Sequence, residues 1–241
     1  MEVASVAVEW CKIGVVLDNV ALREGLESDW GLSVYLETPY SRALFDTGID
    51  PGKLRRNSKR LGIDLSSLNG VVISHAHWDH VGGLSAVAEL SPGLRVYVPS
   101  HAELEDYVAR LGLTPVPVHE TAELLKGVYV VGEQPSRWGL WEQALAIKVG
   151  YELIVLCGCS HPGVDKIASK ALRDLGGSLR AVIGGLHNPS LKAIERLLEL
   201  GVKKVYPLHC SGSRVRDYLR RYPGKLGEGG GGLELCFTRL L

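Results

Sequence analysis

The chain has 241 residues, 46% of them hydrophobic, and its 27 basic and 27 acidic side chains give a formal net charge of zero. This length and apolar content can bury the core of one large domain or of two small ones. The balanced charge gives no support for nucleic-acid binding, which needs a basic surface, and no segment reaches the ~18 consecutive apolar residues of a membrane span.

Apolar runs bounded by turn residues predict several strands in the first part of the chain. We expect strands, the last two in a hairpin, at 3–8, 13–17, 33–37 and 42–45. The polar segment 20–31 predicts a loop or short helix that could cover a site. Asp18-Asn19, just before it, is either a turn held by its own side chains or part of that site. The basic segment 51–62 predicts a helix whose charges either face solvent or attract anions.

Strands and helices are then predicted to the end of the chain. Further strands are expected at 71–73, 94–98, 116–118, 128–131, 144–149, 151–156, 179–183, 202–206 and 233–237. Further helices are expected at 81–90, 101–111, 164–175, 190–200 and 213–221. No linker-like stretch divides this pattern, so we predict a single domain over residues 1–241.

Metal-binding side chains are concentrated in one segment, His75-Ala76-His77-Trp78-Asp79-His80, directly after the strand at 71–73. Imidazole and carboxylate groups are ligands for zinc, manganese and iron. His75 and His77 can share one metal if the loop is tight, while Asp79 and His80 can turn to a second metal. The segment therefore predicts a metal site at the end of this strand.

Three more histidines directly follow predicted strand ends in the second half of the chain, namely His161, His187 and His209. In layered α/β folds ligands gather at the carboxyl ends of strands, so we expect these imidazoles at the same rim as the 75–80 segment. His101 and His119 lie outside any dense group of donors in the sequence. We expect each of them to be an ordinary surface or core residue.

The HxHxDH segment resembles the signature of the metallo-β-lactamase superfamily. The resemblance implies an α/β fold, a four-layer αββα sandwich of two mixed β-sheets flanked by helices, with metals at one edge. It implies two divalent metal ions (Zn, Mn or Fe, with Mg possible) bridged by a water or hydroxide. The implied ligands are His75, His77 and His161 for the first ion, and Asp79, His80 and His209 for the second.

The same resemblance gives Asp46 a role, because in relatives an aspartate in an Asp-x-Gly turn supports the metal loop through hydrogen bonds. Here that turn is Asp46-Thr47-Gly48, and Asp46 could also cap the helix near Pro51. Most two-metal members carry a bridging aspartate between the third and last histidines. In this chain the interval holds only Asp165 and Asp174, and neither lies at a predicted strand end.

Two other residues occupy positions near the missing bridge. His187 is either a catalytic ligand or substrate contact, with Asp79 as the other catalytic residue, or it is structural. Cys159 is expected to pack beside the site without binding metal. A rival arrangement is a thiolate-rich zinc site made of Cys157, Cys159 and Cys210, although a C-x-C spacing is too tight for an ordinary structural zinc site.

Longer phrases extend the resemblance, among them Leu44-Phe45-Asp46-Thr47-Gly48, Gly158-Cys159-Ser160-His161-Pro162-Gly163 and Tyr206-Pro207-Leu208-His209-Cys210-Ser211-Gly212. They are similar to the group of 7,8-dihydropterin-6-methyl-4-(β-D-ribofuranosyl)aminobenzene 5′-phosphate synthases. The resemblance implies that a pterin-methyl diphosphate is joined to an arylamine with release of pyrophosphate, in methanopterin-type cofactor synthesis. The alternatives are a metal-dependent hydrolase of a phosphoester, thioester or lactone, and a metal-binding sensor without enzymatic activity.

The expected partner is therefore a small phosphorylated molecule, with neither nucleic acid nor membrane involved. Five cysteines, an odd number, and a start that lacks a basic segment before an apolar run predict a reduced, cytoplasmic protein. Only two glutamines and one methionine are present, and this depletion of labile side chains favours a thermophilic source.

Overall fold

Two mixed β-sheets form the centre of the structure, a computed structural model that describes residues 6–239. In chain order the described strands are β1 (Trp10–Leu17), β2 (Ser33–Glu37), β3 (Arg42–Phe45), β4 (Gly70–Val72), β5 (Arg95–Pro99), β6 (Thr114–Val118), β7 (Ala122–Leu125), β8 (Val128–Pro135), β9 (Trp141–Val149), β10 (Glu152–Cys157), β11 (Ser178–Gly185), β12 (Lys204–Leu208) and β13 (Glu234–Thr238). One sheet has the order β13-β1-β2-β3-β4-β5-β6 and the other has the order β12-β11-β10-β9-β8-β7. Strands β3 to β6 pair in parallel, as do β10 to β12, and the other pairs are antiparallel.

Helices cover the outer face of each sheet. They are α1 (Pro51–Arg60), α2 (Trp78–Val81), α3 (Leu84–Leu90), α4 (Glu105–Arg110), α5 (Val164–Leu175), α6 (Leu191–Glu199) and α7 (Gly212–Leu219). The first four pack on the sheet that contains β4, and the last three pack on the sheet that contains β10. None of the helices in residues 6–239 combines the length and the apolar character needed to cross a bilayer.

The main core lies between the two sheets, which pack face to face. Buried side chains from both sheets meet there, including Val34 and Phe45 from one sheet and Leu145 and Leu156 from the other. Along β9 the alternate residues Ala144 and Ala146 instead face the helices on the outside, as expected from the two-residue repeat of a strand. The predicted αββα sandwich with two mixed sheets is therefore confirmed.

The first predicted strands differ from the structure. Residues 3–5 lie outside the described part of the chain, and Val8 makes an isolated bridge to Val149. A single strand, β1, covers both Lys12 and the apolar run after it. Lys12 does not end the strand because its side chain points to the exposed face while its neighbours are buried.

The predicted helix over 81–90 is wrong as a continuous element. Helix α2 begins earlier, at Trp78, and a turn at Gly82-Gly83 separates it from α3. The turn packs so closely that a Cβ on Gly83 would lie 2.1 Å from the carbonyl oxygen of Thr47. The helix predicted over 101–111 is shorter, Glu105–Arg110, and strand β7 was not predicted at all.

The close approach at Gly83 predicts a stability effect. We expect Gly83→Ala to lower the free energy of unfolding by about 1–3 kcal/mol, because backbone must move to admit the methyl group. Gly14→Ala is the matched control, since a Cβ there meets nothing nearer than 3.9 Å. Urea unfolding of both variants should give a lower midpoint for Gly83→Ala alone, with similar slopes. Equal midpoints would contradict this account of the turn.

Candidate metal centre

Three imidazoles form a first cluster at the carboxyl ends of β4 and β10. His75, His77 and His161 offer ligand atoms that all lie within 4.8 Å of one another. Nε2 of His75 is 3.0 Å from Nδ1 of His77, and the ring centroids of His75 and His161 are 4.7 Å apart. Two nitrogens bound to one tetrahedral zinc lie about 3.3 Å apart. The spacing therefore suits a shared metal ion.

A second cluster lies beside the first and contains Asp79, His80 and His209. Oδ2 of Asp79 is 3.3 Å from Nε2 of His209 and 3.7 Å from Nε2 of His80. Nε2 of His209 is buried, yet it makes no hydrogen bond within the described residues. A buried nitrogen without a hydrogen-bond partner is costly unless something else binds it. These residues thus fit a divalent ion, which would occupy that lone pair.

Charge at the second cluster also suits a cation. Burial raises the pKa of Asp79, but the neighbouring His209 and His80 outweigh burial and hold the pKa at about 2. Asp79 is therefore ionised at neutral pH. At the first cluster, burial and then the neighbouring imidazoles, His80 foremost, lower the pKa of His75 well below its ordinary value. A neutral imidazole keeps the lone pair that a metal requires.

Asp46 fixes the orientation of imidazoles in both clusters. Its buried carboxylate accepts hydrogen bonds from the Ser74 backbone N–H at 2.7 Å, from Ser74 Oγ at 2.7 Å and from His80 Nδ1 at 2.7 Å. Ser74 Oγ is also 2.8 Å from Nδ1 of His75. Because the serine proton points to Asp46, His75 Nδ1 must be the donor. Nε2 of both histidines is then left free to bind metal.

Glu142 fixes the loop after β10 in the same way, and the sequence pattern did not predict this residue. Its fully buried carboxylate accepts from the backbone N–H groups of Cys159, Ser160 and His161 and from Nδ1 of His161, at 2.7–2.8 Å. Burial raises the pKa of Glu142, but hydrogen bonds, first of all from His161, lower it below its ordinary value. The feature of the sequence that could have indicated Glu142 is an acidic residue just before the apolar run at 144–149.

Asp18 and Asn19, directly after β1, both contact His209 of the second cluster, so the turn and the site role predicted for them are compatible. Oδ1 of Asp18 accepts from the backbone N–H of His209 at 2.7 Å. Oδ1 of Asn19 lies 3.0 Å from Nδ1 of His209. The turn after β1 thus presents the Nε2 atom of His209 to Asp79.

Backbone strain is concentrated at these strand ends. The non-glycine residues with left-handed φ angles include Asp46 at 58°, Ser160 at 64°, His187 at 49° and His209 at 47°. Such conformations are costly for residues with a Cβ and persist where the surroundings impose them. The hydrogen bonds of Asp46, Glu142 and Asp18 provide those constraints here.

His187, Cys159 and Cys210 lie beside the clustered histidines. The ring centroid of His187 is 4.5 Å from that of His161, and its side chain is exposed. Cys159 Sγ is 3.3 Å from Nε2 of His80 and 3.3 Å from Sγ of Cys210. Cys159, His161 and His187 form one further group of ligand atoms, and Cys159, His209 and Cys210 form another.

The two aspartates in the interval after His161 take part in ion pairs with basic residues. Asp165 lies in the first turn of α5, and Oδ2 is 3.5 Å from Arg196. Asp174 pairs with Lys170 at 2.8 Å. The carboxylate that bridges two metals in relatives therefore has no counterpart in either of them.

His101 and His119 are half-exposed histidines, as expected of surface residues, and they share one acidic partner. Each has Nδ1 within 2.6–2.7 Å of Oε1 of Glu133, whose side chain is completely buried. The His101 ring also stacks on Trp141 at 4.3 Å. Glu133 follows the segment predicted as a strand at 128–131, so sequence spacing alone did not connect it to these histidines.

A groove of about 540 Å³ opens beside the clusters. His161 and His187 line it together with basic residues, among them Arg137, Lys166 and Lys192. A larger cavity of about 710 Å³ lies elsewhere, lined by Lys12, Tyr35 and Arg42 among others, and none of the clustered imidazoles faces it. The chemistry of the donors, and not cavity size, identifies the groove beside His161 as the candidate site.

The family model of the metallo-β-lactamase superfamily matches residues 31–154, and the chain belongs to this superfamily. Members of the superfamily generally bind divalent metals, in keeping with the ligand groups described above. Both the resemblance of the HxHxDH segment and the expected fold are therefore confirmed. The assignment of individual ligands stays a prediction.

Particular relatives extend the comparison. The 7,8-dihydropterin-6-methyl-4-(β-D-ribofuranosyl)-aminobenzene-5′-phosphate synthase of Methanocaldococcus jannaschii is 26% identical, over 83% of this chain and 90% of the synthase. Among solved structures, Tm1679, described as a metal-dependent hydrolase of the β-lactamase superfamily, has a TM-score of 0.81 and 27% identity, covering 95% of this chain and 99% of its own. YhfI from Bacillus subtilis shares the fold at a TM-score of 0.69 and 15% identity, covering 95% of this chain and all of its own.

The role of Asp46 predicts a defect in metal binding. We expect Asp46→Asn to weaken the binding of divalent metal roughly 10–100-fold. Asparagine replaces one carboxylate oxygen with an amide nitrogen, which cannot accept the hydrogen bonds that this oxygen receives. Asp50→Asn is the matched control, since the Asp50 side chain caps α1 by accepting from the backbone N–H of Lys53. Titration of metal-free protein with zinc in competition with a chelator would measure both affinities. Equal affinities for Asp46→Asn and the wild-type protein would contradict this role.

Proposed function

We propose that this chain is a metal-dependent transferase that joins a pterin-methyl diphosphate to an arylamine ribose phosphate and releases pyrophosphate. The relation to the M. jannaschii synthase, 26% identical over 83% of this chain, supports this proposal. The structural observation that carries it is the adjacency of the two clusters, since the His75 and His80 ring centroids are 4.1 Å apart. A paired cationic centre suits a substrate that carries a diphosphate.

We assign one divalent ion to the first cluster and another to the second. Zinc, manganese and iron are the ions that such nitrogen and oxygen donors favour. When bound, these ions supply positive charge that offsets the charge on a departing diphosphate. The protein's own contribution is to hold each imidazole in one tautomer and one orientation.

The groove beside His161 is suited to the phosphate groups of the substrates. Arg137, Lys166 and Lys192 line it, as do Gly163 and Ser190 at the N-termini of α5 and α6. Basic side chains and the free N–H groups at a helix N-terminus both favour anions. We therefore place the diphosphate in this groove, with the reacting carbon towards the metal clusters.

Exposed aromatic rings lie beside His187 and His209. The Trp138 ring lies 5.8 Å from that of His187, and the Trp30 ring lies 5.1 Å from that of His209. Both indoles are more than half exposed, an unusual state for large apolar groups and one that suits stacking on a flat pterin.

The reaction forms one carbon–nitrogen bond and breaks one carbon–oxygen bond. The arylamine nitrogen attacks the methylene carbon, the diphosphate leaves with the bonding electrons, and the amine loses a proton. His187 is exposed at the wall of the groove, so we assign its imidazole to accept that proton. Asp79 contributes an ionised carboxylate at the second cluster.

Hydrolysis is the second candidate, and the similarity to Tm1679 favours it, since that protein is described as a metal-dependent hydrolase. The same clusters could serve a reaction in which water replaces the amine. The two candidates differ in one measurable respect, which is the requirement for the amine.

The experiment is to incubate metal-loaded protein with the pterin-methyl diphosphate, with and without the arylamine ribose phosphate, and to measure released pyrophosphate. We expect release to depend on the amine and to match the amount of coupled product. The control is protein treated with a chelator, in which release should fall to the background rate.

Two other outcomes would contradict the proposal. Release at the same rate without the amine would identify a hydrolase. No release in either mixture, from protein that retains its metal, would favour a binding module without enzymatic activity.

A further inference from the structure

The strand end that would carry a bridging carboxylate holds no acidic residue in this chain. Strand β11 ends at Gly184-Gly185, followed by Leu186 and His187. A Cβ on Gly185 would lie 2.9 Å from Sγ of Cys210 and 2.1 Å from the carbonyl oxygen of Gly158. The glycine therefore makes room for a thiol and for the loop that carries Cys159. The sulfur of Cys210 therefore lies close to the strand end where relatives carry the bridging carboxylate.

Cys159 contacts both clusters, as a bridging ligand would. Its Sγ belongs to one group of mutually close ligand atoms with His75 and His80, and to another with His161 and His187. Sγ of Cys159 lies 3.3 Å from Nε2 of His80. A sulfur and a nitrogen bound to one tetrahedral zinc lie about 3.5 Å apart. The contact is thus close to the spacing of two ligands on one ion.

The position of Cys159 is fixed by its surroundings. Its backbone N–H donates to Oε1 of Glu142 at 2.8 Å, so the residue that orients His161 also positions this thiol. The side chain is buried, and its Sγ contacts Sγ of Cys210 at 3.3 Å. Cys210 is the more exposed of the two cysteines, and its sulfur also accepts from the backbone N–H of His187 at 3.3 Å.

We propose that Cys159 binds both metal ions through its sulfur, as a thiolate in place of the missing aspartate, with Cys210 as its hydrogen-bonding neighbour. The inference rests on the metal centre of the proposed function. The thiol proton is released to solvent when the metal binds, so no oxidant or reductant is needed. A sulfur ligand would favour zinc, cobalt or iron over magnesium at this centre.

Cobalt substitution tests this directly, because a thiolate bound to Co²⁺ gives a sulfur-to-metal charge-transfer band in the near ultraviolet. Metal-free protein is titrated with Co²⁺ and the band is followed. We expect it to grow through both equivalents of cobalt, since each ion contacts the same sulfur. The band should be lost in Cys159→Ser and in Cys159→Ala, and retained in Cys210→Ala.

Cys157→Ala is the matched control, because Cys157 is buried two residues away but packs in the core against the helices. It should retain the band, and circular dichroism of every variant checks that the fold is kept. If the band stopped growing after one equivalent of cobalt, the proposal that Cys159 bridges two ions would be overturned. A band that survives in folded Cys159→Ser would overturn the assignment of the ligand.

The wild-type titration separates this inference from the proposed centre. Two bound cobalt ions without a charge-transfer band would overturn the role of sulfur while leaving the metal centre intact. If elemental analysis after gel filtration showed no bound cobalt, both the sulfur ligand and the proposed metal centre would be overturned.

Discussion

The carboxylate of Asp46 fixes the orientation of one histidine in each cluster. It receives both the backbone N–H and the hydroxyl of Ser74, and through that hydroxyl it fixes His75, while it binds His80 directly. A buried carboxylate that accepts three hydrogen bonds has its polar atoms satisfied, and it directs Nε2 of each histidine towards the candidate metal position. The orientation of His75 and His80 therefore depends on this one residue, directly after β3.

Two of the remaining histidines, His161 and His209, are held in the same way by other residues. Glu142 on β9 orients His161, and Asp18 with Asn19 after β1 orients His209. Glu142 lies on the strand that pairs with β10, whereas Asp18 and Asn19 follow a strand of the other sheet. The site therefore depends on both sheets and on their face-to-face packing, and it cannot form before the two halves of the chain have come together.

The sequence pattern predicted the grouping of donors, because strands that end in histidine converge at one sheet edge, and the family resemblance implied the fold. It placed His161 and His209 with the 75–80 segment, and the structure brings them together. It did not find Glu142, because an acidic residue in a strand usually faces solvent and only the tertiary contact reveals otherwise. Nor did it anticipate the turn at Gly82-Gly83, which depends on a close approach to another loop.

The central claim is that the two clusters form one centre for two metal ions. A crystal structure of zinc-loaded protein, with diffraction measured on either side of the zinc absorption edge, tests it most directly. We predict two anomalous peaks within a few ångströms of each other, as in two-metal sites, one beside His77 and His161 and the other beside Asp79 and His209. A map with no peak at these residues, or with zinc bound only elsewhere, would contradict the account.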